Sequence, residues 1–213
     1  MAIFQPRTRA DLSQRLAPMG VELWCFENAL ASGAAEAASY SAGAPNSAPE
    51  LGRWLRTVEE LHNGLVGLQQ GWERSDPMNQ PTWINPSRHT AVVVSSGDEN
   101  TGERTFSNPS NRNPKGRSFG ALVAANEQAS FFDALSKSGE MVDVNETWVF
   151  LYDARQGFVY SELSLPIVMP GLFIESWRER VLLPRFDDRV SKFESSSEEE
   201  SDQDFNFVVQ RRR

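Results

Sequence analysis

Cysteine is almost absent from this chain, and the absence narrows what it can be. Among 213 residues there is one, Cys25, so the chain can form no internal disulfide and no multi-cysteine metal site. It stands in the apolar run "VELWCFENAL", where a buried, inert thiol is expected. Histidine is scarce too: His62 and His89 are the only two, and neither has a metal-ligand spacing with Cys25. No metal site is expected, and His62 reads as an ordinary boundary residue. No apolar run reaches the roughly 18 residues that cross a bilayer. The opening "MAIFQPRTRADLSQRL" lacks the apolar core of a secretory signal. A cytoplasmic protein with no membrane association is the expectation. Neither a G-x-S-x-G elbow nor a G-x-x-x-x-G-K-[ST] loop is present, so catalytic residues and cofactor are unknown at this level.

A third scarcity is local. The chain carries 29 acids against 21 bases, for a net charge of −8, yet from Arg104 to Asn126 there is no acid at all. Four bases stand in that interval: Arg104, Arg112, Lys115 and Arg117. At the other extreme, residues 193–213 hold six acids and three arginines, which leaves 18 bases against 23 acids, or −5, for the rest. An acidic body disfavours broad nonspecific duplex binding, which rests on phosphate neutralisation. A local basic site is compatible with it.

What is present points to a folded domain. Apolar residues make up 39% and charged residues 23%, with six Trp and thirteen Phe to fill an interior; that is an ordinary globular composition. Residues 7–17 read as a short helix with Thr8 as cap, and 21–40 as an Ala-rich helix. "SAGAPNSAP" follows as a small-residue linker, expected to be mobile over 41–49. Ser47 and Glu50 then have the spacing of a capping box. Leu51, Trp54, Leu55, Val58, Leu61, Leu65 and Leu68 recur at intervals of three and four, which predicts a helix with that stripe facing the core and Arg53, Arg56, Glu59 and Glu60 off it.

Residues 73–88 read as a loop, and the β-branched run 89–96 as a strand with a shorter one near 103–106 returning as a hairpin. A helix is expected from about Phe119 to Leu135 with Ser118 as cap. "ETWVFLYDARQGFVYSELSL" (146–165) predicts a second, buried hairpin around "ARQG". Residues 172–182 read as a helix with Glu175 early and Arg178 and Arg180 late, as the dipole prefers. Together these predict an α+β fold: one domain over 1–192, a mostly antiparallel sheet built from two hairpins, and amphipathic helices packed on it. Residues 193–213 form an acidic Ser-rich linker ending in "FNFVVQ" (205–210), an edge strand or a partner-binding segment.

The acid-free loop is the strongest functional lead. A helix starting near Ser118 would turn free backbone N–H groups and the positive end of its dipole toward an anion. Arg112, Lys115 and Arg117 lie just before it, and Gly116 permits close backbone approach. The candidate anion- or partner-binding residues are therefore Arg112, Lys115, Gly116, Arg117 and Ser118. The bland alternative is a solvated loop whose bases balance acidic surface nearby. A second constellation, Asp153 and Glu162, superficially resembles a metal-dependent nuclease dyad. With "ARQG" as the loop, however, Asp153 pairs with Phe158 and the two carboxylates stand roughly 13 Å apart. An arginine partner for Glu162 is the better expectation, and Asp98 and Glu99 read as a plain turn.

Two functions from different classes fit these features. One is an accessory protein that binds a macromolecular partner, most simply a protein, through the basic loop and the C-terminal segment. The other is an enzyme or sensor for a phosphate-bearing ligand, such as a nucleotide or a single nucleic-acid strand, held at that loop.

Overall fold

Local signals account for the first helices of the chain. In the computed structural model, which describes residues 1–105, 107–135 and 146–188, helix α1 (Arg9–Leu16) opens with a capping box. The Thr8 hydroxyl accepts the Asp11 N–H at 3.1 Å, and the Asp11 carboxylate accepts the Thr8 N–H at 3.1 Å, so two orphan donors are satisfied reciprocally. Helix α2 (Leu23–Ser39) buries Cys25, Phe26, Ala29 and Leu30. Helix α3 (Ala48–Gly67) lies closely against it: a methyl group at Gly33 would meet the Thr57 hydroxyl at 2.3 Å.

That close approach alters the expected orientation of α3 only near its start. The buried residues are Gly52, Arg53, Thr57, Leu61, Gly64 and Leu65, while Leu51 and Leu55 are 56% and 53% exposed. Leu61 and Leu65 are nevertheless in the core and Trp54, Val58 and Leu68 pack against it, so most of the expected stripe faces inward; only near the start of α3 does the contact with α2 bury Gly52, Arg53 and Thr57 in place of Leu51 and Leu55. Arg53 is tolerated inside because Asp188 receives its guanidinium at 3.0 and 3.2 Å. The expected cap is also absent: Ser47 is itself in a helical conformation and its side chain makes no capping bond. His62 sits at the boundary and accepts the Trp83 indole N–H at 3.1 Å.

The strands are β1 (Ala2–Phe4), β2 (Glu73–Ser75), β3 (Thr82–Asn85), β4 (Thr90–Ser96), β5 (Glu146–Arg155), β6 (Phe158–Val168), β7 (Ser176–Leu182) and β8 (Phe186–Asp187), with α4 (Arg117–Leu135) between β4 and β5. They form one eight-stranded sheet in the order β1-β7-β6-β5-β4-β3-β2, with β8 paired to β6. The sheet is mixed. β4 runs parallel to β5 and β1 parallel to β7, and the other pairs are antiparallel. The fold is α+β, but the expected mostly antiparallel sheet of two hairpins is overturned on three counts. β4 does not turn back on itself: residues 103–105 form no strand, and the chain crosses through α4 to enter β5 in parallel, as a βαβ unit. The N-terminal segment adds a parallel edge strand at β1.

The third count is β7, expected as a helix. Its charges follow no helical logic; each answers a different neighbour. Arg178 pairs with Glu146, Glu179 with Arg15 at 2.6 Å, and Arg180 with Glu162. The hairpin β5–β6 is present as expected, but its turn is the two residues Gln156 and Gly157, both at positive φ of 54° and 79°, a geometry that matches the twist of the strands. The segment 205–210 and the acidic run before it lie outside the described residues.

Both faces of the sheet are covered. Helices α1, α2 and α3 pack on Val92, Val94, Trp148, Phe150 and Leu163, with the Phe26 and Phe150 rings 4.8 Å apart. On the opposite face Phe119 and Val123 of α4 meet Val93, Val149, Leu151 and Trp177. That second face also carries a fully buried ion pair. Glu162 and Arg180 are both 0% exposed and meet through two hydrogen bonds of 2.5 and 2.9 Å. Ser164 donates its hydroxyl to the same carboxylate at 2.7 Å and the Gly102 N–H donates at 2.9 Å, while Arg180 also donates to the Glu103 carbonyl at 2.9 Å. The pair thereby pins the segment after β4 onto β6. Gly102 has φ +73°, and a β-carbon there would lie 2.6 Å from the Ser161 nitrogen, so that approach requires glycine.

Replacing Glu162 by Gln leaves Arg180 buried without a counter-charge and should cost about 3–5 kcal/mol; urea denaturation of the purified variant measures it, and an unchanged midpoint would contradict the role of the pair. The buried Cys25 thiol is pushed up to about 11 by burial, so it is protonated at neutral pH and shielded. Its labelling by an aromatic disulfide reagent should therefore proceed at the rate of unfolding, and immediate labelling of the native protein would contradict this packing.

Candidate anion-binding cleft

The segment between β4 and α4 is folded back on itself before it reaches the basic residues. The Asp98 carboxylate accepts the N–H groups of Asn100 and Ser110 at 3.0 and 3.1 Å, an Asx-type turn. Gly97 bridges Asn111, and the Arg112 N–H reaches the Ser96 carbonyl at 3.0 Å. The buried Asn111 then ties this segment to the chain ahead of β7: its amide donates to the Leu172 carbonyl at 3.0 Å and accepts the Ile174 N–H at 2.8 Å. The Trp177 indole holds the Pro109 carbonyl at 2.8 Å. Residues 112–115 are thus presented by a hydrogen-bonded frame, at the carboxyl ends of β4 and β5.

Across from them stands the first part of α3, and the space between is a cleft of about 430 Å³. Leu51 and Trp54 form an apolar wall, Tyr152 of β5 lies at its base, and Arg112 and Lys115 face them. Glu50 also lines it, with its carboxylate 3.6 Å from Arg53. Tyr152 is 1% exposed, and burial, reinforced by Glu50, raises its hydroxyl well above the ordinary range. It stays protonated, able to donate a hydrogen bond.

The two cations differ in how they are balanced. Arg112 pairs with Asp153, whose side chain is only 2% exposed and is also bound by Arg155 at 2.5 Å. One buried carboxylate is therefore shared by two guanidinium groups, and Glu103 beside Arg155 balances the second of them. Arg155 lies 3.7 Å from the Tyr160 ring centroid and 3.4 Å from Glu103. Lys115 is half-buried, with its ammonium 5.6 Å over the Phe119 ring. Among the described residues no carboxylate pairs with it, and desolvation lowers its pKa.

Of the five residues singled out by charge and spacing, the structure brings Arg112 and Lys115 together in the cleft. Gly116, Arg117 and Ser118 do not line it. Arg117 is exposed and opens α4, so Ser118 lies inside the helix and does not precede it. Sequence reading missed Trp54, Leu51 and Tyr152. Trp54 and Leu51 were assigned to the core-facing stripe, and no local pattern marks a residue that lines a cleft through the packing of a distant helix.

The carboxylates Asp153 and Glu162 stand closer in register than expected. Asp153 pairs with Tyr160, so Glu162 lies two residues further along β6, not four. They are nevertheless engaged separately, Asp153 by Arg112 and Arg155 and Glu162 by Arg180. Among the described residues no group of three or more His, Cys, Asp or Glu is placed to hold a metal.

A second cleft, of about 530 Å³, lies where α1 meets the start of α2 and is lined by Arg9, Glu22, Trp24 and Arg88. It is larger, and two of its charged groups are already engaged. Arg9 is already bound by Glu27 at 2.6 and 2.8 Å, and the Glu22 carboxylate occupies the Trp24 indole N–H at 2.7 Å. No family model, curated protein or solved structure matches this chain.

Proposed function

We propose that the chain is a binding protein for a phosphate-bearing ligand, held in the cleft between α3 and residues 112–115. The observation that carries this reading is Lys115: a desolvated ammonium lining the cleft, with no carboxylate at ion-pair distance among the described residues. Moving a cation out of water is unfavourable, and an incoming anion restores the missing opposite charge where screening is weak. Arg112 adds a planar donor, and the Tyr152 hydroxyl can add another. Leu51 and Trp54 offer a surface for an apolar or planar part of the same ligand, the usual division of labour in small-molecule sites. A nucleotide has both parts.

A macromolecular partner is the second reading, and one observation favours it. Large apolar side chains flank the cleft in the open: Leu51 and Leu55 on α3, and Leu172 and Phe173 at 53% and 44% exposure beside Lys115. Such a rim suits a chain better than a small molecule.

Titration with AMP and with inorganic phosphate, followed by calorimetry, tests the first reading. Lys115→Ala should lose about tenfold or more in affinity, the worth of one charge-assisted hydrogen bond, and Lys115→Arg should retain most of it. The pH dependence follows from the lowered pKa. Affinity is full below the pKa of free Lys115, which lies under the ordinary lysine range, and is lost as pH rises through it, with proton uptake on binding in between. Equal affinity in the native chain and Lys115→Ala, or no binding of either probe, would overturn the reading.

A further inference from the structure

A phosphate group alone would fill little of a cleft of about 430 Å³, a size typical of sites for whole small molecules. The nature of the remainder is written in the one acid among the described residues that line it. Glu50 shares the cleft with Leu51, Trp54, Arg112, Lys115 and Tyr152. A carboxylate there repels a bare anion. It suits a ligand that carries, besides its anionic group, a hydrogen-bond donor to meet that carboxylate.

The fold leaves that acceptor open. Among the described residues no donor hydrogen-bonds to the Glu50 carboxylate. The Arg53 Nε stands 3.6 Å from it, too long for a hydrogen bond, and is itself buried without a partner. Both terminal nitrogens of Arg53 are taken by Asp188. The Glu50 side chain is 52% exposed, so a ligand can reach it. Ser47, three residues earlier and also lining the cleft, makes no capping bond with its hydroxyl. Trp54 follows Glu50 by four residues, which makes carboxylate and indole neighbours on one face of α3. The Tyr152 hydroxyl is under the influence of both the Glu50 carboxylate and the Arg112 guanidinium, so opposite charges act across the same space.

Charge decides which kind of donor fits. Arg53 already supplies a positive group beside Glu50, and Arg112 and Lys115 line the same cleft, so an ammonium on the ligand would meet like charge. Hydroxyls donate without charge, and the two oxygens of one carboxylate can accept a vicinal pair of them. We propose that Glu50 selects the ligand by its hydroxyls, and that the cleft takes a ribose-bearing phosphate: Lys115 and Arg112 hold the phosphate, Glu50 accepts the ribose diol, and Trp54 meets the base of a nucleotide. This rests on the reading of the cleft as an anion site and names the class of its ligand.

Calorimetric titration of the full chain with AMP, its dideoxy analogue, ribose phosphate, phosphoethanolamine and inorganic phosphate tests this. The dideoxy analogue should bind about tenfold or more weakly than AMP, the loss expected when hydrogen bonds to a charged group are removed. Glu50→Ala should weaken AMP to the level of the dideoxy analogue, yet bind inorganic phosphate more tightly than the native chain does, because the repelling carboxylate is gone. Damage to the fold would weaken every probe alike, so these opposite responses separate recognition from structure. Equal affinity of the native chain for AMP and its dideoxy analogue, with phosphate binding still dependent on Lys115, overturns the role of Glu50 and leaves the ligand reading intact. A preference for AMP that survives Glu50→Ala does the same. Phosphoethanolamine bound more tightly than ribose phosphate would assign the carboxylate to an ammonium and overturn the ribose. No binding of any probe overturns the ligand reading, and this inference with it.

Discussion

The arrangement depends on one buried ion pair, Glu162 with Arg180, at the centre of the face that α4 and the 97–116 segment cover. Neither side chain reaches solvent. Such a pair adds little net stability over an apolar substitute, since desolvation offsets the attraction. Its effect here is specificity of arrangement. The carboxylate also takes the Gly102 N–H and the Ser164 hydroxyl, and the guanidinium also takes the Glu103 carbonyl. A segment that would otherwise cross the sheet without regular structure is fixed at two backbone positions. From there the Asn111 and Trp177 contacts bring Arg112 and Lys115 to the mouth of the cleft. The pair thus lies several residues away from the candidate site and determines where it stands.

Charge balance then separates structure from function among the basic residues. Arg53, Arg155, Arg178 and Arg180 all have carboxylates within 2.5–3.0 Å or closer, and their positions are explained by the fold. Lys115 has an aromatic face and a lowered pKa but no carboxylate among the described residues. A group that the fold desolvates without compensating it is where an external anion gains most. Arg112 lies between the two cases, since it shares Asp153 with Arg155.

Much of the fold was legible in the sequence, and the failures have physical causes. The Thr8 cap, the helices of the first third, strand β4 and the β5–β6 hairpin follow from local chemistry and appear where expected. Residues 176–182 were misread because Glu175, Arg178 and Arg180 mimic the charge order of a helix, whereas three charges of that strand are paired to three distant neighbours. The α3 stripe was legible both as a helix and, from Trp54 to Leu68, in its orientation; Leu51, Leu55 and the buried Arg53 depart from it, because close contact at Gly33 outweighs the hydrophobic period there. The parallel β4–β5 pairing depends on a crossover that no short window contains. At the candidate site, the absence of acids from 104–126 singled out Arg112 and Lys115, which both line the cleft, and equally Gly116, Arg117 and Ser118, which do not. The opposite wall, Leu51 and Trp54, came from a helix more than fifty residues earlier in sequence and had no local signature.

The most direct measurement is an NMR titration of the lysine side-chain resonances, with and without inorganic phosphate. The three lysines of the chain make assignment by substitution straightforward. The account predicts that Lys115 titrates below the ordinary lysine range in the free protein and that phosphate moves it upward, since a bound anion favours the charged form. A Lys115 that titrates within the ordinary lysine range and does not respond to phosphate would contradict the claim that the fold has left this cation desolvated and awaiting a counter-charge.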